Sequence, residues 1–138
     1  MFEAKRAVQL SETDATGALY FTHQLKWAQE AFLDLIDQSG DSLTSIMNEE
    51  GIAFPVVHVT ADYCKRLCLG DTLLLRLKCE KIGRTSFTLS TSIYRGKELV
   101  GQVQIMHVVI SQEGKTPCPI HPRLAKLLFP ISSECDLA

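Results

Sequence analysis

The sequence has 138 residues, of which 46 % are hydrophobic and 22 % charged, and its formal net charge at pH 7 is −2. A chain of this length buries roughly 68–70 % of its unfolded surface, which is enough for a proper core, and we expect one domain over residues 1–138. The nearly neutral charge argues against a general role in binding nucleic acid.

The apolar runs and the cysteines of the sequence indicate in which cellular compartment the protein is expected. No apolar run approaches the ~20 residues that span a bilayer, and no signal peptide is expected behind Met1. The cysteine count is odd and no CxxC pair occurs, which argues against both a disulfide framework and a zinc ribbon. We therefore expect free thiols, a reducing cytoplasmic location and no metal site. The five are Cys64, Cys68, Cys79, Cys118 and Cys135.

The first half of the chain predicts one strand and one long helix. Residues 2–10 are typical of a short strand, and a helix is predicted over roughly residues 20–38. Its apolar side chains recur at i, i+3 and i+4, and Ser39-Gly40 supplies the stop. The predicted inner face consists of Leu25, Ala28, Phe32, Leu35 and Ile36, with Trp27 and Ala31 on its flank.

The second half alternates between apolar and polar residues with the period of two that is typical of strands. Gly101 is expected to mark a bulge or bend. A short helix near residues 121–128 follows, and the polar tail from about residue 131 to 138 is expected to be loose. The four predicted strands cover residues 51–64, 72–82, 85–95 and 98–111.

This order of elements predicts the fold class. One strand, one long apolar helix and four strands joined by short turns pack economically when the sheet curves around the helix. We therefore expect an α+β protein: a curved antiparallel sheet of about five strands wrapped around one long central helix.

Three segments resemble a known family. TDATGALYF resembles the D-x-x-G-x-x-Y/F signature of the 4-hydroxybenzoyl-CoA thioesterase family of hot-dog proteins. FPVVHVTADY with LGDTLLLRL, and then GRTSFTLSTSIYRGKELVGQVQIMHVVIS, follow in that family's order. The resemblance covers roughly residues 5–125 and is nearest to the 1,4-dihydroxy-2-naphthoyl-CoA hydrolases of quinone biosynthesis. It implies an acyl-CoA thioesterase without a cofactor, in which coenzyme A is part of the substrate.

Thioester hydrolysis needs a nucleophile or base, and donors where the carbonyl oxygen gains charge. By resemblance, Asp14 attacks the carbonyl or activates a water, and the backbone N–H of Phe21 points at the carbonyl oxygen. The alternative for Asp14 is a helix cap or a turn-stabilising residue, and Glu30 is the rival carboxylate. The residues expected at the substrate are Gly17, Tyr20, Thr22, His23 and His58.

Coenzyme A carries three phosphates, so basic and hydroxyl side chains beside turns are candidates for its nucleotide end. Lys65 and Arg66 follow one predicted strand, and a hairpin turn holds Arg84, Thr85 and Ser86. The alternative is that these are solvated charges flanking turns.

The resemblance also implies a dimer, or a tetramer of two dimers, with the active site built across the interface. Thr16, Thr22 and Gln24 depart from the family's usual residues, which leaves aliphatic acyl-CoA open beside an aryl-CoA. Two further readings stay open: a thioesterase acting on acyl-carrier-protein substrates, and a non-catalytic module that binds CoA ligands.

Overall fold

The computed structural model describes residues 1–132. Two short 3-10 turns, at Leu10–Glu12 and Phe129–Ile131, accompany its helices and strands. In chain order these are β1 (Phe2–Ala7), α1 (Thr22–Gln38), α2 (Leu43–Glu50), β2 (Ile52–Ala53), β3 (Val56–Tyr63), β4 (Thr72–Ile82), β5 (Ser86–Arg95), β6 (Glu98–Val108), β7 (Ile110–Ser111) and α3 (Pro122–Leu128).

Five strands form one antiparallel sheet in the order β1-β4-β5-β6-β3. The sequence prediction of about five antiparallel strands with one long helix is therefore confirmed. The expected irregularity at Gly101 is confirmed as well, because the register shifts there: Ile93 pairs with Gly101 and Tyr94 with Leu99. The strands at the two edges of the sheet are β1 and β3.

Helix α1 packs across one face of the sheet. Trp27, Phe32 and Ile36 are buried, and β4 supplies alternate inward side chains such as Leu75. The inner face is wider on one side than predicted: Trp27, expected on its flank, is fully buried, while Leu25 is only partly buried. Trp27 is buried in preference to Leu25 because its large ring offers more apolar area than a leucine side chain.

Several predicted boundaries are wrong. Strand β1 ends at Ala7, because the chain turns into the 3-10 segment at Leu10. The predicted strand 51–64 is two strands, since β2 pairs with β7 in a separate ribbon and β3 starts after Pro55. Proline lacks the N–H that a continuous ladder needs.

Helix α2 was not predicted. The Ser42 hydroxyl oxygen accepts a hydrogen bond from the Ser45 N–H at 3.1 Å, and Gly51 ends the helix with a φ of +64°. These are ordinary cap residues. They enclose only eight residues, a length over which helical periodicity is weak.

The C-terminal segment is better packed than expected where it is described. Ile131 and Ser132 are 4 % and 3 % exposed, because Ile131 joins the core cluster and Ser132 bridges to Cys79 of β4. The predicted loose tail therefore does not include these two residues, and its remainder, 133–138, lies outside the described residues.

The cysteines from Cys64 to Cys118 are free thiols, and Cys135 falls outside the described part of the chain. Across residues 1–132, none of the helices combines the length and the apolar character that crossing a membrane requires.

Candidate active site

Asp14 stabilises the turn in which it lies. Its backbone N–H donates to the Ala18 carbonyl at 2.8 Å. Its Oδ1 accepts from the Thr16 N–H at 2.7 Å, the Thr16 hydroxyl at 2.6 Å and the Ala18 N–H at 3.3 Å. The Thr16 hydroxyl and N–H hold the pKa of this exposed carboxyl below its usual range. Asp14 is therefore an ionised carboxylate whose Oδ2 meets no donor within residues 1–132.

Gly17 gives the turn its shape. Its φ is +82°, in the left-handed region that favours glycine. A Cβ added there would meet no atom within 4 Å. Within one chain, the glycine is therefore required by the backbone conformation and not by a close contact.

Helix α1 starts eight residues after Asp14, so Asp14 is not its cap. The cap position is Phe21, in helical conformation and without a side-chain cap. Its N–H has no acceptor within the described residues, while its carbonyl accepts the Tyr63 hydroxyl at 2.8 Å. Orphan N–H groups at a helix start carry partial positive charge and can bind an oxygen that gains negative charge.

A buried carboxylate anchors the loop between Asp14 and α1. Glu12 is 5 % exposed and accepts from Trp27 Nε1 at 2.7 Å, from the Gln9 N–H at 3.0 Å and from Arg6 Nη2 at 2.8 Å. The Glu12 carbonyl also accepts the Tyr20 N–H at 2.9 Å. Burial raises the pKa of Glu12, but these hydrogen bonds and the Arg6 charge outweigh it and leave the pKa lowered. Both ends of the loop are thereby fixed to the helix.

Glu30, the rival carboxylate, is engaged elsewhere. Its Oε2 accepts from Arg6 Nη1 at 2.7 Å, and Lys26 Nζ lies 3.8 Å from its Oε1. Glu30 therefore shares the cation that also holds Glu12. This arrangement favours a structural role for Glu30 and leaves Asp14 as the better candidate.

A pocket of about 240 Å³ opens at the start of α1. It brings together the predicted Phe21, Lys65 and Arg66, and Arg66 Nη2 also donates to the Thr16 carbonyl at 3.1 Å. This helix-start pocket is lined by Ala18, Leu19, Phe21, Gln24, Tyr63, Lys65, Arg66 and Leu67.

Gln24 forms the inner wall of the helix-start pocket. It is 1 % exposed, and its Nε2 donates to the Asp62 carbonyl at 2.9 Å. The absent side chain of Gly101 leaves room for it, because a Cβ there would lie 2.5 Å from Gln24 Oε1. Gln24 thus joins helix α1 to strand β3 beside Phe21.

The other residues predicted near the helix start lie around its first turn. Tyr20 and Thr22 are exposed, and the Tyr20 ring lies 5.0 Å from Phe21 and 6.4 Å from His23. His23 is half-buried, and its Nδ1 has no hydrogen-bond partner within residues 1–132.

Four predicted residues lie away from the helix-start pocket of the same chain. His58 is exposed and pairs with Met106, so it lies on the sheet face opposite α1. Arg84, Thr85 and Ser86 follow β4 at the other end of the sheet. Six residues of β5 separate that end from Ile93 beside Gly101, a distance of about 20 Å at strand spacing. Their binding roles remain predictions.

Sequence reasoning missed Glu12, and it named Gln24 only as a departure from the family's usual residue. Both are polar residues whose burial depends on partners far along the chain, Trp27 and Arg6 for one and Asp62 and Gly101 for the other. No local spacing marks such residues, so the sequence offered no direct signal for them.

The chain has close relatives among known proteins. The family model of the thioesterase-like superfamily matches residues 8–128. A 1,4-dihydroxy-2-naphthoyl-CoA hydrolase of Prochlorococcus marinus (strain NATL2A) is 32 % identical over 137 residues, covering 94 % of this chain and 88 % of the relative. One from Synechococcus sp. (strain CC9605) is 30 % identical, with 86 % and 83 % covered.

Solved structures with a similar fold include thioesterases with names like those of these relatives. The crystal structure of a 1,4-dihydroxy-2-naphthoyl-CoA thioesterase from Synechocystis is 25 % identical with a TM-score of 0.85, covering 93 % of this chain and 95 % of that one. A DHNA-CoA thioesterase from Staphylococcus aureus, at 22 % identity and a TM-score of 0.79 over 91 % and 87 % of the two chains, shares the fold. With its helix wrapped by a five-stranded sheet and its family match over residues 8–128, the chain belongs to the thioesterase-like superfamily and has its hot-dog fold.

Proposed function

We propose that this protein is a thioesterase that hydrolyses the thioester of a CoA ester. One observation carries the proposal: Asp14, an ionised carboxylate with a free oxygen, lies in a turn fixed to the start of a helix whose first N–H, that of Phe21, has no acceptor in the described chain. The family and the names of the relatives support it.

In the proposed mechanism the Phe21 N–H donates to the thioester carbonyl oxygen, which gains negative charge as the carbon is attacked. Asp14 attacks that carbon itself, or it takes a proton from the water that attacks. The thiolate then leaves with the electrons of the C–S bond. Where Asp14 has attacked directly, water then hydrolyses the anhydride between the acyl group and Asp14, which releases the acid and restores the carboxylate. No cofactor takes part in this scheme, since coenzyme A leaves as the thiol of the substrate.

The best specific substrate is an aryl-CoA such as 1,4-dihydroxy-2-naphthoyl-CoA. Two curated relatives at 30 % identity or more carry the name of its hydrolase. Aliphatic acyl-CoA remains the alternative substrate, because the residues at three positions differ from those usual in the family: Thr16, Thr22 and Gln24.

The predicted CoA residues support a site shared by two chains. Lys65 and Arg66 lie at the end of β3, while Arg84 lies about 20 Å away at the opposite end of the sheet. If a second copy pairs its β3 edge antiparallel to this one, the Val56 end of one strand lies beside the Tyr63 end of the other. Each pocket would then receive the partner's β4–β5 hairpin end, and the dimer would complete the CoA site.

The proposal is tested by thiol release from a panel of aryl, short, medium and long acyl-CoAs. Asp14→Asn should lower kcat at least about 100-fold, since it removes the nucleophile or base. Asp37→Asn, at an exposed position near the end of α1, is the matched control and should match wild type.

The panel separates the substrates. Turnover concentrated on aryl-CoA supports the naphthoyl-type substrate, whereas turnover on aliphatic chains keeps the mechanism and drops that substrate. High turnover only with acyl-carrier-protein thioesters would show that the substrate is an acyl-carrier-protein thioester and not a CoA ester. If Asp14→Asn is as active as wild type, Asp14 only stabilises its turn and the mechanism is wrong.

A further inference from the structure

The turn that carries Asp14 packs against the loop of residues 64–71, which joins β3 to β4. Arg66 of that loop reaches back to Thr16: its Nη2 lies 3.1 Å from the Thr16 carbonyl oxygen and 3.3 Å from the Thr16 hydroxyl oxygen. The same hydroxyl oxygen lies 2.6 Å from Asp14 Oδ1. Thr16 therefore lies between a guanidinium and a carboxylate and contacts both.

The chemistry of the three groups fixes the direction of these hydrogen bonds. A guanidinium only donates and an ionised carboxylate only accepts, whereas a hydroxyl donates one proton and accepts through its lone pairs. The Thr16 hydroxyl oxygen therefore accepts from Arg66 Nη2, and its proton is donated to Asp14 Oδ1. Hydrogen bonds that follow one another in this way strengthen each other. Together they form the Arg66–Thr16 relay, which ends at Asp14.

The relay makes the two oxygens of Asp14 unequal. Oδ1 accepts from three donors, which are the Thr16 hydroxyl, the Thr16 N–H and the Ala18 N–H. Within residues 1–132, no donor meets Oδ2. We propose that the Arg66–Thr16 relay positions the Asp14 carboxylate by holding Oδ1, so that Oδ2 is the oxygen that attacks the thioester carbon or takes a proton from water. The attack rests on the proposed function, whereas the positioning needs no substrate.

The charges around the turn identify Arg66 as the cation that acts on Asp14. The Thr16 hydroxyl and N–H, and after them the Ala18 N–H and the Arg66 charge, hold the pKa of Asp14 below its usual range. The nearby carboxylates are engaged elsewhere, since Glu12 pairs with Arg6 at 2.8 Å and Asp71 with Arg95 at 2.8 Å. The titratable and charged residues before α1, in its first turn and in the loop of residues 64–71 are Glu12, Asp14, Tyr20, His23, Cys64, Lys65, Arg66, Cys68 and Asp71.

The relay extends the pH range in which Asp14 can react. A donor to the ionised form favours that form, so the carboxyl stays ionised to a lower pH than it would without the Thr16 hydroxyl. A base or nucleophile works only while it is ionised, so activity should also persist to a lower pH. Thr16 departs from the residue usual in the family, and the relay is therefore a feature of this chain.

The test follows the Asp14 carboxyl directly, in a 13C NMR titration of the full chain labelled at its aspartate side chains. The resonance that is missing from Asp14→Asn identifies Asp14. Thr16→Val keeps the N–H and nearly the same shape but removes the hydroxyl, so Asp14 should titrate at a higher pH than in the wild type. Thr16→Ser restores the hydroxyl and should return the titration to the wild-type pH.

Thr13→Val is the matched control. Its hydroxyl lies one residue from Asp14 and also makes a hydrogen bond, but it donates to the Leu10 carbonyl at 2.7 Å. Loss of this hydroxyl should leave the titration of Asp14 unchanged. An unchanged titration in Thr16→Val would overturn the proposal. An equal shift in Thr13→Val would overturn it too, because the effect would then come from the loop as a whole.

Arg66→Gln tests the other end of the relay. It should move the titration of Asp14 in the same direction as Thr16→Val but by less, because the Arg66 charge lowers the pKa of Asp14 less than the Thr16 hydrogen bonds do. A titration that stays at the wild-type pH in Arg66→Gln would overturn the role of Arg66.

The pH profile of kcat for thiol release tests the catalytic part. Its acid limb, where activity falls as Asp14 becomes protonated, should move to higher pH in Thr16→Val, return in Thr16→Ser and stay in place in Thr13→Val. An acid limb that does not move in an active Thr16→Val would overturn the proposal. If the titrations behave as expected but the wild-type chain releases no thiol from any acyl-CoA, the positioning is supported and the proposed hydrolysis is wrong.

Discussion

Asp14 and Glu30 are acidic side chains near the same helix, and their partners give them different roles. Glu30 accepts from a guanidinium and lies near an ammonium group, so its charge is neutralised within the fold. Within residues 1–132, Asp14 accepts only from the hydroxyl and backbone N–H groups of its own turn, all at Oδ1. A carboxylate that stays ionised and keeps one oxygen free of donors is the one suited to attack a carbonyl or take a proton.

The turn that presents Asp14 depends on Gly17, and this gives the first prediction at residue scale. Gly17→Ala should lower the free energy of unfolding by about 1–2 kcal/mol, because a residue with a Cβ is strained in the left-handed region. Gly17→Asn should cost less, since asparagine tolerates that region. Urea denaturation of both variants measures the difference.

The same pair of variants tests whether the turn positions Asp14. Loss of thiol release should follow the same order, with Gly17→Ala more affected than Gly17→Asn. Equal losses in stability would contradict the argument from φ, because a Cβ at this position meets no atom within 4 Å that could clash.

At the scale of elements, the contact between α1 and β6 depends on Gln24 filling the space above Gly101. Gly101→Ala would place a Cβ 2.5 Å from Gln24 Oε1, displacing the amide and breaking its bond to the Asp62 carbonyl. We expect a loss of about 1–3 kcal/mol in the free energy of unfolding, as for a disturbed buried hydrogen bond.

A double-mutant cycle isolates that contact. Once Gln24→Ala has removed the amide, Gly101→Ala should cost clearly less than it does in the wild-type background. Additive losses, measured by denaturant unfolding, would show that the strand backbone and not Gln24 opposes a side chain at residue 101.

The elements show which parts of the fold the sequence could predict. Long alternating strands such as β4 and the 17-residue helix α1 were predicted because their periodicity extends over many residues. Helix α2, at eight residues, was missed although Ser42 and Gly51 cap it. The break at Pro55 was missed because a proline is also tolerated at the start of a strand.

In the candidate active site too, the features set by residues close together in sequence were the ones that could be predicted. Asp14, Gly17 and Phe21 lie within eight residues, so their mutual arrangement is largely local and a motif describes it. Glu12 and Gln24 are buried by residues up to 77 positions away in sequence, and only the folded chain brings those partners together.

At the scale of the whole molecule, the two edges of the sheet differ in character. Strand β3 exposes Val56, Val57 and Val59 along an edge with unpaired N–H and C=O groups. An exposed apolar edge strand favours pairing with another strand. We therefore expect the wild-type chain to form at least a dimer through β3.

Charge placed on that edge should dissociate the dimer. Val57→Lys should shift the mass measured by light scattering toward that of one chain and lower thiol release with it. The matched control is Ala7→Lys on β1, the other edge, which should leave the mass unchanged. A monomeric wild type, or dissociation by Ala7→Lys alone, would contradict the prediction.

The acid stability of the molecule should show two separate windows. Burial lowers the pKa of His107 from 6.5, so just below pH 6.5 the unfolded chain binds a proton that the native chain does not. Stability from this group is therefore lost as the pH falls below about 6.5, by at most about 1.4 kcal/mol per pH unit. The hydrogen bonds to Glu12 lower its pKa from 4.5, so its contribution is complete above pH 4.5 and is lost as the pH falls through the lower folded value.

Two variants separate these windows in denaturant unfolding between pH 7.5 and 3.5. His107→Asn should make the curve less steep just below pH 6.5, and Glu12→Gln should make it less steep below about pH 4.5, each leaving the other window in place. Glu12→Gln should also lower stability at pH 7 by about 2–3 kcal/mol, because Arg6 and Trp27 lose a charged acceptor. A His107→Asn curve as steep as that of the wild type just below pH 6.5 would contradict a lowered pKa of His107, since the native and unfolded chains would then bind the same number of protons there.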